Sequence, residues 1–129
     1  MADLNRKVGE MNYDGLITDL NPPVQVRGGI IAKLSAEATY PRGTVLAKCD
    51  ADDKLYILGT TGGDEYVPDC ILCDETEIGT TDDINVAVYT AGCFDPNKVT
   101  VDTGYTITEA DKDKLRERNI VFKAVFEAN

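Results

Sequence analysis

Residues 86–94 form the strongest strand pattern in the chain, and they constrain its fold more than any other stretch. Side chains alternate between the two faces of a strand, so Val86 and Val88 are expected on one face. Ala87 and Tyr89 fall on the other, which makes both faces mostly apolar. We therefore predict that both faces of this organising strand are covered, by the rest of a small sheet or barrel or by another subunit.

Charge and missing residue types exclude several classes of function. The chain has 129 residues, which suits one domain, and its 23 acidic and 13 basic side chains give a net charge of −10. Nucleic acids and anionic membranes are not expected partners, because both bind clustered Lys and Arg. The chain also has no His, the commonest acid or base near neutral pH, so a Ser-His-Asp or Cys-His system cannot be built. We expect no enzyme activity.

The sequence shows no sign of membrane insertion or secretion. No apolar run approaches the ~20 residues that span a bilayer. The first residues lack the apolar segment of a secretion signal. We expect a product of the cytoplasm.

Short strand patterns separated by turns predict a β-rich chain. Residues 44–49 and 54–58 are expected to form a hairpin, and residues 68–74 a short buried strand. A last strand is expected at 120–126. The predicted fold class is β-rich α+β: a small, irregular β-sandwich or barrel-like domain with one or two short helices and an extended N-terminal arm.

One helix is clearly predicted near the C-terminus. Thr108 is a good N-cap, and Asp111 lies three residues further on, as in a capping box. Leu115 is the main apolar side chain, so the helix is expected to lie on the surface with one anchor in the core. Asn119 is suited to the left-handed position that ends a helix.

Residues 1–28 differ from the rest of the chain. Their apolar side chains are scattered, and Pro22 and Pro23 disfavour a helix. We predict an extended arm over residues 1–28 that becomes ordered on a partner surface. One β-rich domain is expected over residues 29–129.

The four cysteines raise an alternative to simple packing. Cys70 and Cys73 form a C-x-x-C pair, and with Cys49 and Cys93 they would give a four-thiolate zinc site or a redox pair. However, zinc ribbons carry two such pairs, and on a strand Cys70 and Cys73 would point to opposite faces. We therefore expect buried thiols and no cofactor or metal. The acidic loop at 50–53 also lacks the spacing of a calcium-binding loop.

Four segments carry motifs that occur together in one known family. Residues 40–46 contain PxGTVL, which begins at Pro41, and residues 68–72 occupy the place of a short GIL strand. Residues 86–94 read as VAVYxxGxF, and residues 115–120 as LRxxGI, with Asn119 in place of the Gly; Asn tolerates the same left-handed geometry. In order and spacing these motifs resemble the head decoration protein family of tailed bacteriophages.

The resemblance implies a structural role without catalysis. Proteins of this family form trimers on the exterior of the expanded head and lock neighbouring subunits of the major capsid protein. The chain is therefore expected in the virion, after synthesis in the cytoplasm of the bacterial host. The arm is implied to contact the capsid. No motif of the family falls within the arm, so the candidate contacts are its own apolar side chains: Leu4, Val8, Met11, Tyr13, Leu16, Ile17 and Leu20.

A trimer would also explain an organising strand with two apolar faces. One face would cover the domain core, and the other would lie near the three-fold seam. The predicted trimer-interface residues are Val86, Val88, Tyr89 and Phe94. We expect removal of residues 1–20 to leave the fold and trimer intact and to weaken capsid binding. A zinc or redox module, and a β-rich ligand-binding domain unrelated to phages, remain open as alternatives.

Overall fold

The structure, a computed structural model, describes residues 15–19, 22–61 and 65–123. These residues form nine strands and one helix. The strands are β1 (Ile17–Asp19), β2 (Gln25–Ile31), β3 (Ala38–Tyr40), β4 (Val45–Cys49), β5 (Leu55–Ile57), β6 (Tyr66–Leu72), β7 (Thr76–Ile78), β8 (Ile84–Phe94) and β9 (Ile120–Phe122), and the helix is α1 (Glu109–Glu117).

The organising strand is β8, and it closes with four other strands into a five-stranded barrel. Strand β8 pairs with β2, and the order continues through β5 and β4 to β6, which pairs back with β8. The predicted hairpin is the antiparallel β4–β5 pair, in which Leu46 lies opposite Ile57. Strands β3 and β7 form a separate two-stranded sheet. The predicted β-rich, barrel-like fold class is confirmed.

The second half of β8 extends beyond the barrel and has two further neighbours. Strand β1 pairs with it in antiparallel fashion, with Ile17 opposite Phe94. Strand β9 pairs in parallel, with Gly92 opposite Ile120. Strand β8 thus joins the barrel to the strands nearest both ends of the described chain. The arm boundary predicted at residue 28 falls inside β2, which begins at Gln25.

Two clusters of apolar side chains pack on opposite faces of the sheet. The inner cluster fills the barrel and includes Val88, Leu46 and Leu72. The outer cluster includes Tyr89, which follows Val88 on β8, and Ile71, which precedes Leu72 on β6. Residues that alternate along one strand therefore enter different clusters, as the side-chain period of a strand requires.

The prediction that both faces of the organising strand are covered holds for its second half only. Strand β8 is buried on both faces at Val88 and Tyr89, where α1, β1 and β9 supply the outer layer. Before that point Asn85 and Ala87 are exposed, while Val86 is half-buried against the inner cluster. The first half of β8 is therefore an ordinary barrel strand with one face outward.

Helix α1 forms as its local sequence predicts. The Thr108 side chain accepts a hydrogen bond from the Asp111 amide, and the Asp111 side chain accepts one from the Thr108 amide. Leu115 is fully buried in the outer cluster. Asn119 has a φ of 70°, the left-handed geometry that Asn tolerates better than most residues. At nine residues, α1 is too short to cross a membrane, and the part of the chain that is described has no other α-helix.

The turn before β4 runs from Pro41 to Thr44. The Pro41 carbonyl accepts a hydrogen bond from the Thr44 amide, and Gly43 has a φ of 96°. A side chain at Gly43 would also clash with the Lys98 carbonyl, 2.9 Å from the added Cβ. Thr44 also forms an isolated parallel bridge with Thr100.

Candidate functional site

The predicted capsid-binding residues divide between the core and the undescribed part of the chain. Leu4, Val8, Met11, Tyr13 and Leu20 lie outside the described residues. Leu16 and Ile17, by contrast, are 1% and 8% exposed and belong to the outer cluster. Their side chains are covered by their own chain, so they have little surface to offer to a capsid.

Both ends of the described chain lie at the same end of β8. The Leu16 carbonyl accepts a hydrogen bond from the Asp95 amide at 2.8 Å, and the Phe94 carbonyl accepts one from the Lys123 amide at 2.8 Å. The Lys123 ammonium also lies 3.5 Å from a carboxylate oxygen of Asp19. The first and last described segments therefore lie together at one end of the molecule, which we call the terminal end.

An open groove lies at the terminal end. Its volume is about 390 Å³, and apolar side chains from the loop before α1 and from β9 form much of its wall. Lys98 lies in the sequence between Asn97 and Val99, which both line the groove. Its side chain would lie 3.5 Å from a Cβ added to Gly15. The groove-lining residues are Pro96, Asn97, Val99, Val101, Tyr105, Thr106, Ile107, Lys112 and Phe122.

The predicted trimer-interface residues are mostly inside the molecule. Val88 and Phe94 have no exposed surface, and Tyr89 is 2% exposed. The rings of Tyr89 and Phe94 pack with their centres 5.4 Å apart. These three side chains have no surface to offer to another subunit, and only the half-buried Val86 retains some.

Tyr89 is held by an arginine from the turn before β4. An Arg42 guanidinium nitrogen donates to the Tyr89 hydroxyl at 2.5 Å and to the Cys73 carbonyl at 3.0 Å. The guanidinium carbon also lies 5.4 Å from the centre of the Tyr89 ring. Burial raises the pKa of Tyr89 above its usual 10.0, so the phenol stays neutral. The arrangement ties the turn to the sheet and leaves no group poised for proton transfer near neutral pH.

The four cysteines are all buried, and none forms a disulfide. Cys70 belongs to the inner cluster and Cys73 to the outer one, as the alternation of a strand predicts. Burial raises the pKa of the Cys73 thiol to about 11 and holds that of Cys70 well above its ordinary value of 9.0. Among the described residues, no group of three or more Cys, Asp or Glu could hold a metal ion.

Among the described residues, the most exposed large apolar side chains are both on β2, outside the motifs that mark the sequence. Val26 is 58% exposed and Ile30 is 45% exposed. On neighbouring β8, Ala87 lies opposite Gly28 and Asn85 opposite Ile30, and these residues are exposed too. The result is an outward stripe of five uncharged residues, which we call the β2–β8 stripe. In the sequence, this stripe is indicated by uncharged residues at every second position of β2: Val26, Gly28 and Ile30.

A buried carboxylate lies on the other side of β2. Asp69 of β6 is 5% exposed, and its two oxygens meet arginines from different elements. Arg27 of β2 lies 3.4 Å from one oxygen, and Arg118 at the end of α1 lies 3.1 Å from the other. Because removing one partner of a buried charge is costly, these contacts fix β2 and α1 to β6.

The chain matches a known protein family over most of its length. The family model described as bacteriophage lambda head decoration protein D matches residues 9–121. No curated protein matches the chain. The matched region contains the helix and all nine described strands, apart from the last residue of β9.

Proposed function

The chain belongs to the family of the bacteriophage lambda head decoration protein D, and on this premise we propose that it binds as a homotrimer to the exterior of the expanded phage head and stabilises it. Its partner would be the major capsid protein. The role is structural, without catalysis. The observation that carries the proposal is the family match, which spans residues 9–121 of the 129-residue chain.

The architecture supports a protein that serves as a rigid cap. Two apolar clusters pack on either side of one sheet, and three strands besides β2 pair with β8. Such a body can attach to a shell without rearranging its interior. The four cysteines add to the core, so a zinc or redox module has less support than it had from the sequence alone.

The terminal end is the surface that we assign to the capsid. Residues 1–14 are attached there, and they carry Leu4, Val8, Met11 and Tyr13. The groove at the terminal end offers additional apolar surface. An extended segment that pairs with the edge of a capsid sheet would gain main-chain hydrogen bonds with little demand on its own sequence.

Three chains in a trimer would present three such segments at once. Each segment need bind only weakly, because the first contact raises the effective concentration of the other two. Overall attachment can then exceed the affinity of a single segment by about 10²–10⁴. This gain requires that the three terminal ends face the same way, which cyclic symmetry provides.

The experiment compares two truncations in co-sedimentation with expanded heads of the phage. A protein that begins at residue 15 keeps every described contact, so it should fold and lose most of its binding to heads. A protein that begins at residue 21 also lacks β1 and should be destabilised. This revises the expectation that residues 1–20 are dispensable for folding, because Leu16 and Ile17 are core residues.

Full-length protein provides the reference. It should sediment with expanded heads, raise their resistance to heat, and show the mass of three chains by light scattering. Full-length protein that stays in the supernatant at every concentration would contradict the proposal. If residues 15–129 bind heads as tightly as the full chain, the role assigned to residues 1–14 is wrong.

A further inference from the structure

Among the described residues, strand β2 is paired over its whole length along only one of its edges. On one side it pairs with β8 over its whole length, from Gln25 to Ile31. On the other side its neighbour is β5, and the pairing is a single parallel contact between Ile31 and Leu55. Among the described residues, no strand lies beside the remainder of this second edge. The barrel therefore has a seam that is closed at one end and open at the other.

Main-chain groups face this open seam. The Ala32 amide donates to the Leu55 carbonyl at 3.1 Å, so it points away from β8. Successive residues of a strand direct their amides to alternate edges. The amides of Ile30, Gly28 and Val26 consequently point the same way as that of Ala32, toward the seam.

The seam is an open cleft rather than a packed contact. Its volume is about 260 Å³, and Gly28 and Gly29 of β2 face Lys48, Asp53 and Leu55 across it. A Cβ added at Gly28 would have no atom within 4 Å. At Gly29 the added Cβ would lie only 2.7 Å from Leu55, so the two sides converge near the closed end.

The outward face of this edge carries no charge. Exposed edge strands normally carry outward charges, a proline or a bulge against pairing with another chain. Here the outward side chains at the seam are Val26 and Ile30, and Gly28 lies between them. The charge on β2, Arg27, is 59% exposed but lies on the opposite face of the strand, 3.4 Å from the buried Asp69. A register irregularity occurs only at the start of the strand, between Gln25 and Val26.

We propose that the open edge of β2 is where a second copy of this chain docks, adding a strand to the seam. Each copy carries a net charge of −10, so two copies repel one another except where acidic side chains are absent or paired. The β2–β8 stripe is uncharged, and the two acids at the seam are both near basic groups: Asp69 near Arg27, and Asp53 4.0 Å from Lys48. The inference rests on the proposed homotrimer and locates its interface.

The symmetry of a trimer decides what kind of contact this is. Two β2 edges that pair with each other would be related by a two-fold axis and would give a dimer. A closed ring of three needs two different surfaces on each copy. The β2 edge is therefore the acceptor surface, and a different segment of the neighbouring copy supplies the added strand.

The test measures mass by light scattering for the wild type and three variants. Val26→Lys with Ile30→Lys places two charges at the acceptor edge, and Gly28→Pro removes one of its amides. Both changes are at exposed positions that lie outside the β8 hydrogen bonds, so each folded chain should keep its circular dichroism spectrum. Thr39→Lys adds one lysine at an exposed position of β3 as a control. We expect trimers for the wild type and Thr39→Lys, and at least about tenfold weaker assembly for the two edge variants.

Hydrogen exchange on the wild type tests the same point without any substitution. The Gly28 amide should be protected in the trimer and should exchange faster after dilution to monomer. Edge variants that remain trimeric like the control, or an unprotected Gly28 amide in the trimer, would overturn the proposal. A wild type that forms dimers or monomers would overturn it together with the proposed homotrimer. A wild type that forms trimers but does not bind capsids would refute only the proposed function. The edge variants would still test whether the β2 edge is the trimer interface.

Discussion

Leu16→Ala tests whether the first described residues belong to the core or to an arm. The Leu16 side chain is 1% exposed, and one of its methyl groups would lie 3.2 Å from a Cβ added at Gly43. Truncating a buried leucine to alanine costs about 2–5 kcal/mol, from lost transfer free energy and from the cavity that remains. Strand β1 has only three residues, so partial collapse of the site is expected, and we predict a loss of about 3 kcal/mol.

The assay is urea unfolding followed by circular dichroism at one fixed protein concentration, because assembly contributes to apparent stability. The midpoint should fall while the slope m stays unchanged, as expected when the native contacts weaken but the surface exposed on unfolding does not change. Leu4→Ala is the matched control, the same substitution in the segment assigned to the capsid. It should leave the free energy of unfolding within about 0.5 kcal/mol of the wild type.

The two substitutions should affect capsid binding in the opposite order from stability. Folded Leu16→Ala protein should sediment with expanded heads as the wild type does, whereas Leu4→Ala should bind less. A loss of stability below about 1 kcal/mol for Leu16→Ala would show that β1 does not anchor the outer cluster. The reasoning that moves residues 15–19 from the arm to the core would then fail.

Three further predictions concern α1 and the thiols. Thr108→Ala should lower the free energy of unfolding by about 1 kcal/mol, measured in urea, because the Asp111 amide loses its acceptor; an unchanged midpoint would mean that the cap adds nothing. Asn119 has a φ of 70°, so Asn119→Ala should cost about 1–2 kcal/mol, whereas Asn119→Gly should be close to neutral, and equal costs for the two would refute a backbone origin. Burial raises the pKa of Cys73 to about 11, above an ordinary value of 9.0, so the unfolded thiol ionises first and stability should fall as pH rises from about 9 to about 11. Ionisation of Cys73 should lower the free energy of unfolding by an amount on the order of 2 kcal/mol across that range. In urea titrations, the free energy of unfolding of a Cys73→Ala protein should therefore fall less steeply with pH. An equally steep fall would assign the loss of stability to other groups.

Helix α1 could be predicted from sequence because its signals are local. Thr108 and Asp111 lie within one turn of each other, and Asn119 needs only its own backbone geometry. Strand β8 can also be predicted from the sequence, because it has apolar residues on both faces, more than a strand with one exposed face requires. These elements depend on neighbours along the chain, which a sequence displays directly.

The remainder depends on partners that are distant in sequence. Leu16 and Ile17 look like scattered apolar residues of an arm, and only pairing with the end of β8 puts them in the core. Strands β3 and β7 are short and partly polar, and each is a strand because of the other. The apolar second face at Tyr89 was assigned to a subunit seam, but alternation alone cannot distinguish cover by another chain from cover by Leu115 of the same one.

The central position of β8 also sets when the protein can fold during synthesis. Gly28 pairs with Ala87, and Gly92 pairs with Ile120, so every sheet contact of β2 except the one to β5 waits for the ribosome to deliver the last third of the chain. Contacts between such distant residues require the closure of long loops and make folding slow, typically milliseconds to seconds for β-rich domains. Folding of the barrel is therefore a late event that follows release of β8. Until then Val26 and Ile30 remain on an unpaired strand, and the excess of acidic residues helps to keep nascent chains apart.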